Sequence, residues 1–282
     1  MARKTKLQVA ILLLCLIASG CSTGKSNSAT RHPLPRSTTT SPPTTSTVVT
    51  TTAAPTTSPA PTFPSVVSQA MAQFVPLPAG AEAPIRLPQV SGYLTAETGG
   101  LGGQDNVTLI VTSSPVPVNS PTLTSSGGTE LAAFTNIATA SDSNADSQLV
   151  QAKSQSIDSC GGASQALTLA DGTAATSCPT LDGEAVNWTF DGWTVQVVTL
   201  SGSTPSVGEA DQADSTLHSA GVPTSSGAGI VSVVVPANSS VGQSDTSALE
   251  WVLGPNVYQV HSSDNPVAAI DVAAQMRPYP TG

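Results

Sequence analysis

The stretch that decides the fold is NWTFDGWTVQVV, residues 187–198, which holds two of the three Trp of a chain that is only 4% aromatic. Asp191-Gly192 lies between alternating apolar residues, which is a strong sequence signal for a β-hairpin with a two-residue turn. Such a turn places six apolar side chains on one face, in three cross-strand pairs: Phe190 with Trp193, Trp188 with Val195, and Val186 with Val197. The stretch therefore predicts part of a sheet.

The two faces of this hairpin differ in polarity. Asn187, Thr189, Thr194 and Gln196 occupy the face opposite the aromatic residues. An apolar face beside a polar one is typical of a sheet with one side in the core and the other in water. An aromatic platform for a ligand is the alternative, although such platforms usually mix aromatic residues with hydrogen-bonding groups. We therefore expect the aromatic residues in the core.

Similar patterns predict further strands and fewer helices. Strands are predicted at 106–114 and 229–236, with a second hairpin formed by 248–254 and 256–262. Helices are predicted at 129–140, 207–220 and 266–276. Gly221 suits the position that follows the last turn of the second helix. Together these elements predict an α+β fold, an antiparallel β-sheet with a few helices packed on one face.

The N-terminal residues indicate where the protein acts. Arg3, Lys4 and Lys6 precede an apolar run over residues 7–18, which is too short to cross a bilayer as a helix but suits a signal peptide. The run leads into Ala-Ser-Gly-Cys21, which resembles the lipobox of bacterial lipoproteins. The resemblance implies that Cys21 is diacylated and anchors the protein to the cell membrane on its extracytoplasmic side. An ordinary secretory signal is the alternative.

The other cysteines predict a disulfide. Cys15 lies inside the apolar run and leaves with the signal peptide. Cys160 and Cys178 remain in a part of the chain that is exported, and a lone pair in an oxidising compartment predicts one disulfide. Closing this loop stabilises the fold by about 3 kcal/mol in the chain-entropy model. Two reduced, buried thiols are the alternative.

The chain divides into a signal peptide with its lipobox (1–21), a disordered Ser/Thr/Pro-rich tether (22–74) and an extracytoplasmic domain (75–282). Within the tether, 21 of the 26 positions at 37–62 are Ser, Thr or Pro, and no apolar periodicity is present from which a core could form. Such tracts resemble the glycosylated stalks of secreted proteins, and those of actinobacterial lipoproteins are often mannosylated. An unmodified linker is the alternative.

The charge of the domain argues against one class of partner. All 18 acidic residues lie at or after Glu82, and only Arg86, Lys153 and Arg277 among the basic residues follow residue 75, so three positive less eighteen negative charges leave −15. Such a surface repels phosphate backbones, and we expect no nucleic acid as a partner. The expected partners are the membrane, through the N-terminal lipid, and an unknown envelope ligand or protein.

The familiar catalytic motifs are missing. The chain has no G-x-S-x-G, H-E-x-x-H or phosphate-loop pattern. Of the three histidines, His32 lies in the tether and His218 near the end of a predicted helix. His261 could form a triad with Asp264 or Asp271 and one of the many Ser, but two surface histidines are the simpler interpretation. The sequence therefore favours a domain without enzymatic activity.

Residues 142–153 invite comparison with a calcium-binding loop. Positions 1, 3 and 5 of an EF-hand match through Asp142, Asn144 and Asp146. Ser147 replaces the Gly of position 6, and Lys153 replaces the bidentate Glu of position 12. We interpret this stretch as a solvated turn, with weak Ca²⁺ binding by an acidic loop as the alternative, and Asp171-Gly172 as a plain turn. We predict no metal and no cofactor.

The C-terminal sequence EWVLGPNVYQV followed by AAIDVAAQM (250–276) resembles the strand–turn–strand–helix ending of some actinobacterial extracytoplasmic lipoprotein and anti-sigma-factor sensor domains. The resemblance bears on fold rather than function. Two functions remain: a non-catalytic binding or interaction module of the cell envelope (for an apolar ligand, a wall component or a partner protein), or an envelope hydrolase, an esterase or wall-acting enzyme, with an unrecognised Ser/His/Asp site. A His beside both a carboxylate and a hydroxyl favours the second.

Overall fold

The computed structural model describes residues 61–100, 103–123, 127–181, 183–200, 207–223, 228–236, 246–263, 265 and 267–280. Cys21, the predicted tether as far as residue 60, and Asp264 lie outside these residues. The described helices are α1 (Ser65–Met71), α2 (Asp142–Ser156), α3 (Val207–Ala220) and α4 (Ala268–Ala274). The described strands are β1 (Glu82–Pro84), β2 (Tyr93–Gly99), β3 (Gln104–Thr112), β4 (Thr129–Ala138), β5 (Gln165–Thr168), β6 (Ala174–Pro179), β7 (Gly183–Phe190), β8 (Trp193–Leu200), β9 (Gly229–Val235), β10 (Thr246–Leu253), β11 (Asn256–Ser262) and β12 (Met276–Pro278).

One ten-stranded sheet organises the described part of the chain, in the order β2-β3-β4-β11-β10-β9-β8-β7-β6-β5. Its neighbouring strands are antiparallel except β8 and β9, which run parallel because α3 lies between them in the chain and returns it across the sheet. A separate two-stranded sheet pairs β1 with β12. The predicted combination of an antiparallel sheet, helices and a disulfide is confirmed in outline, and the sheet is larger than the sequence indicated.

The hairpin at 187–198 forms as predicted. Asp191 and Gly192 both have positive φ, 46° and 84°, as a two-residue type I′ turn requires. The three predicted pairs face each other across β7 and β8. The Trp193 and Trp251 ring centroids lie 6.0 Å apart, and Trp251 stacks on Tyr258 at 5.4 Å. Because these three rings are fully buried, the aromatic residues belong to the core and not to an exposed platform.

A glycine at the start of β9 makes room for the two Trp rings. A Cβ added to Gly229 would lie 2.5 Å from the ring of Trp193. In the antiparallel pairing of β9 with β10, Gly229 lies directly opposite Trp251. A glycine within a strand often marks such a close approach. Any larger residue here would collide with the ring of Trp193.

Two helices cover the aromatic face of the sheet. Six of the seven residues of α4 are buried, and α4 packs on β4, β10 and β11. α3 buries Ala210, Ala213 and Leu217 in the same core. It spans the predicted residues, and Gly221 follows it with φ 81° while its N–H donates to the Leu217 carbonyl at 2.8 Å.

The prediction that the helices pack on one face only is wrong, because α2 lies over the opposite, polar face on β9, β10 and β11. Ser232 Oγ donates to the carbonyl of Ser156, the last residue of α2, at 2.9 Å. Gln196, which we expected in water, is fully buried under the segment that follows α2. Its Nε2 donates to the Asp158 carbonyl at 3.0 Å, and its Oε1 accepts from the Asp158 N–H at 2.8 Å.

Two further predictions of local structure are wrong. Residues 129–140 form strand β4 instead of a helix, and residues 142–153 form most of α2 instead of a turn. β4 has five consecutive buried residues, because both faces of the sheet are covered there, so it lacks the alternation by which strands are recognised. α2 buries only Ala145 and therefore lacks an apolar stripe. Its cap is Ser141, whose Oγ accepts from the Asn144 N–H at 3.3 Å.

The folded part begins before residue 75. α1 buries Val66, Val67, Ala70 and Met71 in the main core. The ring of Phe63 lies 4.7 Å from that of Tyr279 near the other end of the described chain. Residues 63–74 therefore belong to the folded part and not to a disordered tether.

The predicted disulfide between Cys160 and Cys178 is confirmed, with 5.5 Å between their Cα atoms. Cys178 lies on β6 and is buried with Ala185 and Val198, on the same face of the sheet as Gln196. The bond thus ties the segment after α2 to the sheet. Among the described helices, none combines the length and apolarity needed to cross a membrane.

Candidate functional site

Two elements that are distant in sequence bring Asp171, Asp214 and His218 together. Asp214 and His218 are four residues apart on α3 and so lie on one face of that helix. Asp171 lies in the turn between β5 and β6. The N–H of Thr173 donates to its Oδ1 at 2.8 Å and the hydroxyl of Thr173 to its Oδ2 at 3.0 Å, so the turn itself orients this carboxylate.

The three side chains form one compact cluster. His218 Nε2 lies 3.4 Å from Asp171 Oδ2, and His218 Nδ1 lies 3.6 Å from Asp214 Oδ1. One donor atom from each residue can be chosen so that all three lie within 4.8 Å of one another. The ring of Phe190 meets the imidazole edge-on, with centroids 4.9 Å apart, and limits its rotation. The hairpin of β7 and β8 thus supports the cluster from one side.

Burial is uneven within the cluster. The side chain of Asp214 is 1% exposed, whereas those of His218 and Asp171 are 49% and 37% exposed. Neither carboxylate oxygen of Asp214 has a hydrogen-bond partner that meets normal geometry among the described residues. No Lys or Arg of the described ranges lies within 4.0 Å of any carboxylate of the cluster. Among the described residues, His218 is the only close cationic partner of these carboxylates.

The surroundings shift the three pKa values in different directions. Burial raises the pKa of Asp214. The hydrogen bond from the Thr173 N–H lowers the pKa of Asp171. The hydrogen bond between His218 Nδ1 and the Asp214 carbonyl, 2.9 Å long, raises the pKa of His218, and the neighbouring aspartates, Asp191 among them, add to this rise. A cation is favoured at this place, whether it is a protonated imidazole or a bound ion.

The second histidine, His261, has a different arrangement. Its Nε2 lies 3.8 Å from Glu130 Oε1, and the same oxygen accepts a hydrogen bond from Ser263 Oγ at 3.1 Å. Glu130 therefore lies between the imidazole and the hydroxyl. In a Ser–His–acid site the hydroxyl donates to the imidazole, so that the His can take its proton. The arrangement around His261 lacks that contact.

The acids proposed as partners of His261 do not complete a triad in the described part of the chain. Asp264 lies outside it. Asp271 lies on α4, over the aromatic face of the sheet, and burial raises its pKa. His261 follows Val260, a core residue of that face, and so points from the opposite face.

Two buried glutamates were not anticipated from the sequence. Glu250 lies under α2, where Gln259 Nε2 donates to its Oε2 at 2.7 Å, and burial raises its pKa to about 7. Glu82 is 2% exposed, and burial raises its pKa to about 7 although Arg277 opposes the shift. Asn136 accepts from the Glu82 N–H at 3.1 Å. Each lies within packed structure rather than in a cleft.

A shallow groove of about 510 Å³ runs between α1 and the segment that leads into β2. Its apolar lining includes Pro64, Leu87, Pro88, Val90 and Leu94. The groove is largely open to solvent, so it does not enclose a small molecule.

The sequence pointed to His218 and to the Asp171-Gly172 turn separately, but neither to Asp214 nor to the cluster. The Asp-x-x-x-His spacing on a predicted helix was the available signal for two of its members. Nothing in the sequence places the Asp171 turn beside that helix, because the contact depends on how β5, β6 and α3 meet. The EF-hand-like donors, by contrast, lie in the first turns of α2 and not in a loop.

Comparison with known proteins gives no lead: no family model, no curated protein and no solved structure matches this chain.

Proposed function

We propose that this chain is a lipoprotein of the bacterial cell envelope, anchored through diacylated Cys21 on the extracytoplasmic side of the membrane, and that its folded part is a non-catalytic binding or interaction module. The basic start, the short apolar run and the Ala-Ser-Gly-Cys21 sequence support the anchor. The disulfide between Cys160 and Cys178 agrees with export, because such bonds persist in oxidising compartments.

The surroundings of the two described histidines favour binding over hydrolysis. His218 bonds to a backbone carbonyl and approaches two carboxylates, and His261 approaches one. No hydroxyl of the described residues forms a hydrogen bond with either imidazole. A nucleophile without a hydrogen-bonded base stays protonated at neutral pH and reacts slowly. This single observation carries the non-catalytic interpretation.

The surface of the folded part supports contact with a large or polar partner. The open groove beside α1 does not enclose a ligand, and the charge of −15 after residue 75 favours cationic or neutral partners over anionic lipid. A wall component or a partner protein suits such a surface better than a buried apolar ligand. The lipid and the Ser/Thr/Pro-rich segment would hold the module within reach of either.

Hydrolysis assays test the non-catalytic role. The mature full-length protein in detergent is incubated with p-nitrophenyl esters and with purified cell wall, in the presence of ZnCl₂ and separately of EDTA. We expect rates no higher than those of the double variant His218→Ala/His261→Ala. The two single variants are matched controls, because the two imidazoles are equally exposed, at 49% and 47%. Turnover that one single variant abolishes and the other preserves would establish a hydrolase and locate its base.

A further inference from the structure

The strongest unassigned feature is the buried carboxylate of Asp214. Its side chain is 1% exposed, and neither of its oxygens makes a hydrogen bond of normal geometry with a described residue, although Asp171 and Thr173 lie close enough to shift its pKa. A desolvated carboxylate without partners costs several kcal/mol, which structures usually avoid through a counter-ion, a hydrogen bond or protonation. Asp214 faces two further donors, Asp171 and His218, across a gap of less than 5 Å.

We propose that Asp171, Asp214 and His218 bind a divalent transition-metal ion of the Zn²⁺ class. This site goes beyond the proposed function and does not depend on the lipid anchor. Two carboxylates and one imidazole supply three ligands. The exposed sides of His218 and Asp171 leave the rest of the coordination shell to water or to a donor from a partner.

The imidazole is oriented as a metal ligand requires. His218 Nδ1 lies 2.9 Å from the backbone carbonyl of Asp214, to which it donates. This hydrogen bond selects the tautomer in which Nε2 carries the free lone pair. Histidines that bind metals usually donate their other ring N–H to a carbonyl or a carboxylate in this way. The hydrogen bonds from Thr173 orient Asp171 similarly.

The distances between the donor atoms fit a small ion if His218 and Asp171 move slightly toward Asp214. With metal–ligand distances of 2.0–2.2 Å, neighbouring donors of a tetrahedral site lie about 3.3 Å apart. His218 Nε2 and Asp171 Oδ2 are 3.4 Å apart. The full set spreads over as much as 4.8 Å, so an ion must draw the half-exposed His218 and Asp171 toward the fixed Asp214.

The donor set selects the class of ion. Imidazole binds Zn²⁺ and its transition-metal neighbours well, whereas Ca²⁺ takes six to eight oxygen ligands and Mg²⁺ keeps most of its water. The two carboxylates also leave a net negative charge, which no described Lys or Arg neutralises within 4.0 Å. We therefore expect Zn²⁺ to bind far more tightly than Ca²⁺ or Mg²⁺.

Calorimetric titration of the untagged, mature full-length protein with ZnCl₂ tests the site. We expect one ion per chain, and at least tenfold weaker binding in Asp214→Asn and in His218→Ala. His261→Ala is the matched control, since His261 is equally exposed and also faces a carboxylate, yet lacks a buried second acid. Zinc affinity that survives His218→Ala and falls in His261→Ala overturns the proposal, as does Ca²⁺ or Mg²⁺ binding as tightly as Zn²⁺.

Thermal unfolding distinguishes a zinc site from a hydrogen-bonded acid–imidazole network that binds no metal. Asparagine has the shape of aspartate but no charge, so in EDTA Asp214→Asn should melt at or above the temperature of the parent protein, because it removes a desolvated carboxylate. Added ZnCl₂ should raise the melting temperature of the parent protein and leave that of the variant unchanged. If Asp214→Asn lowers the melting temperature equally with ZnCl₂ and with EDTA, the cluster is a structural acid–imidazole network. Should that variant fail to fold, the half-exposed His218→Ala gives the same comparison of zinc-induced shifts.

Discussion

At the scale of single residues, burial under an unexpected helix controls the chemistry of Glu250. It lies between Leu249 and Trp251 of β10, two core residues, so alternation predicts that it faces water. It does point away from the aromatic core, but α2 covers that face. Its oxygen Oε2 accepts from Gln259, and burial still raises its pKa from 4.5 to about 7. Sequence alone predicts the side of β10 on which Glu250 lies, but not that α2 covers that side.

The raised pKa of Glu250 predicts how stability depends on pH. The folded protein holds a proton on Glu250 up to about pH 7, whereas the unfolded chain releases it near pH 4.5. The free energy of unfolding therefore falls as pH rises between these values, by on the order of 3 kcal/mol for this group. Glu250→Gln keeps the shape without the charge, so it should stabilise the protein by about 2–3 kcal/mol at pH 8 and change little at pH 5.

Urea unfolding of both proteins at pH 5 and pH 8 measures this difference. Glu97→Gln is the control, since Glu97 is an exposed glutamate on β2. It should shift the midpoint by the same small amount at both pH values. Equal effects of Glu250→Gln at pH 5 and pH 8 would show that Glu250 is not desolvated.

At the scale of elements, local sequence patterns predicted the strands and helices correctly wherever a characteristic turn or an amphipathic pattern was present. The Asp191-Gly192 turn fixed the register of β7 and β8, and Gly221 marked the end of α3. Sequence patterns gave the wrong type of element where both faces of a strand are covered or where a helix packs on polar residues. β4 was mistaken for a helix for the first reason, and α2 for a turn for the second.

The contact between the sheet and the segment after α2 depends on one fully buried side chain, Gln196. Its amide bonds the N–H and carbonyl of Asp158. Gln196→Leu leaves both backbone groups without partners, so it should destabilise the protein by about 2 kcal/mol. Thr194→Val, on the same strand and face, loses only the solvent-exposed hydrogen bond from Lys153 and should cost less than about 0.5 kcal/mol. Urea unfolding of the two variants checks the contrast, and equal costs would contradict it.

At the scale of the whole molecule, the fold brings the Asp171–Asp214–His218 cluster together, whereas the proposed location outside the cell rests on local sequence patterns. Asp171, Asp214 and His218 meet only because the β5–β6 turn and α3 come together beside Phe190, at the end of the β7–β8 hairpin. No local pattern contains that information. The patterns that predict a signal peptide, a lipidated Cys21 and the Cys160–Cys178 disulfide are local in sequence; of these predictions, the disulfide is confirmed.

Metabolic labelling with a clickable fatty-acid analogue tests the central claim most directly. The parent protein and the variants Cys21→Ser and Cys15→Ser are expressed in a bacterial host with lipoprotein processing, and label and membrane association are measured. We predict that the parent protein and Cys15→Ser carry the label and sediment with membranes, because the proposed cleavage before Cys21 would remove Cys15. Cys21→Ser should lose both. An unlabelled parent protein, or a Cys21→Ser variant that keeps the label, would contradict the account.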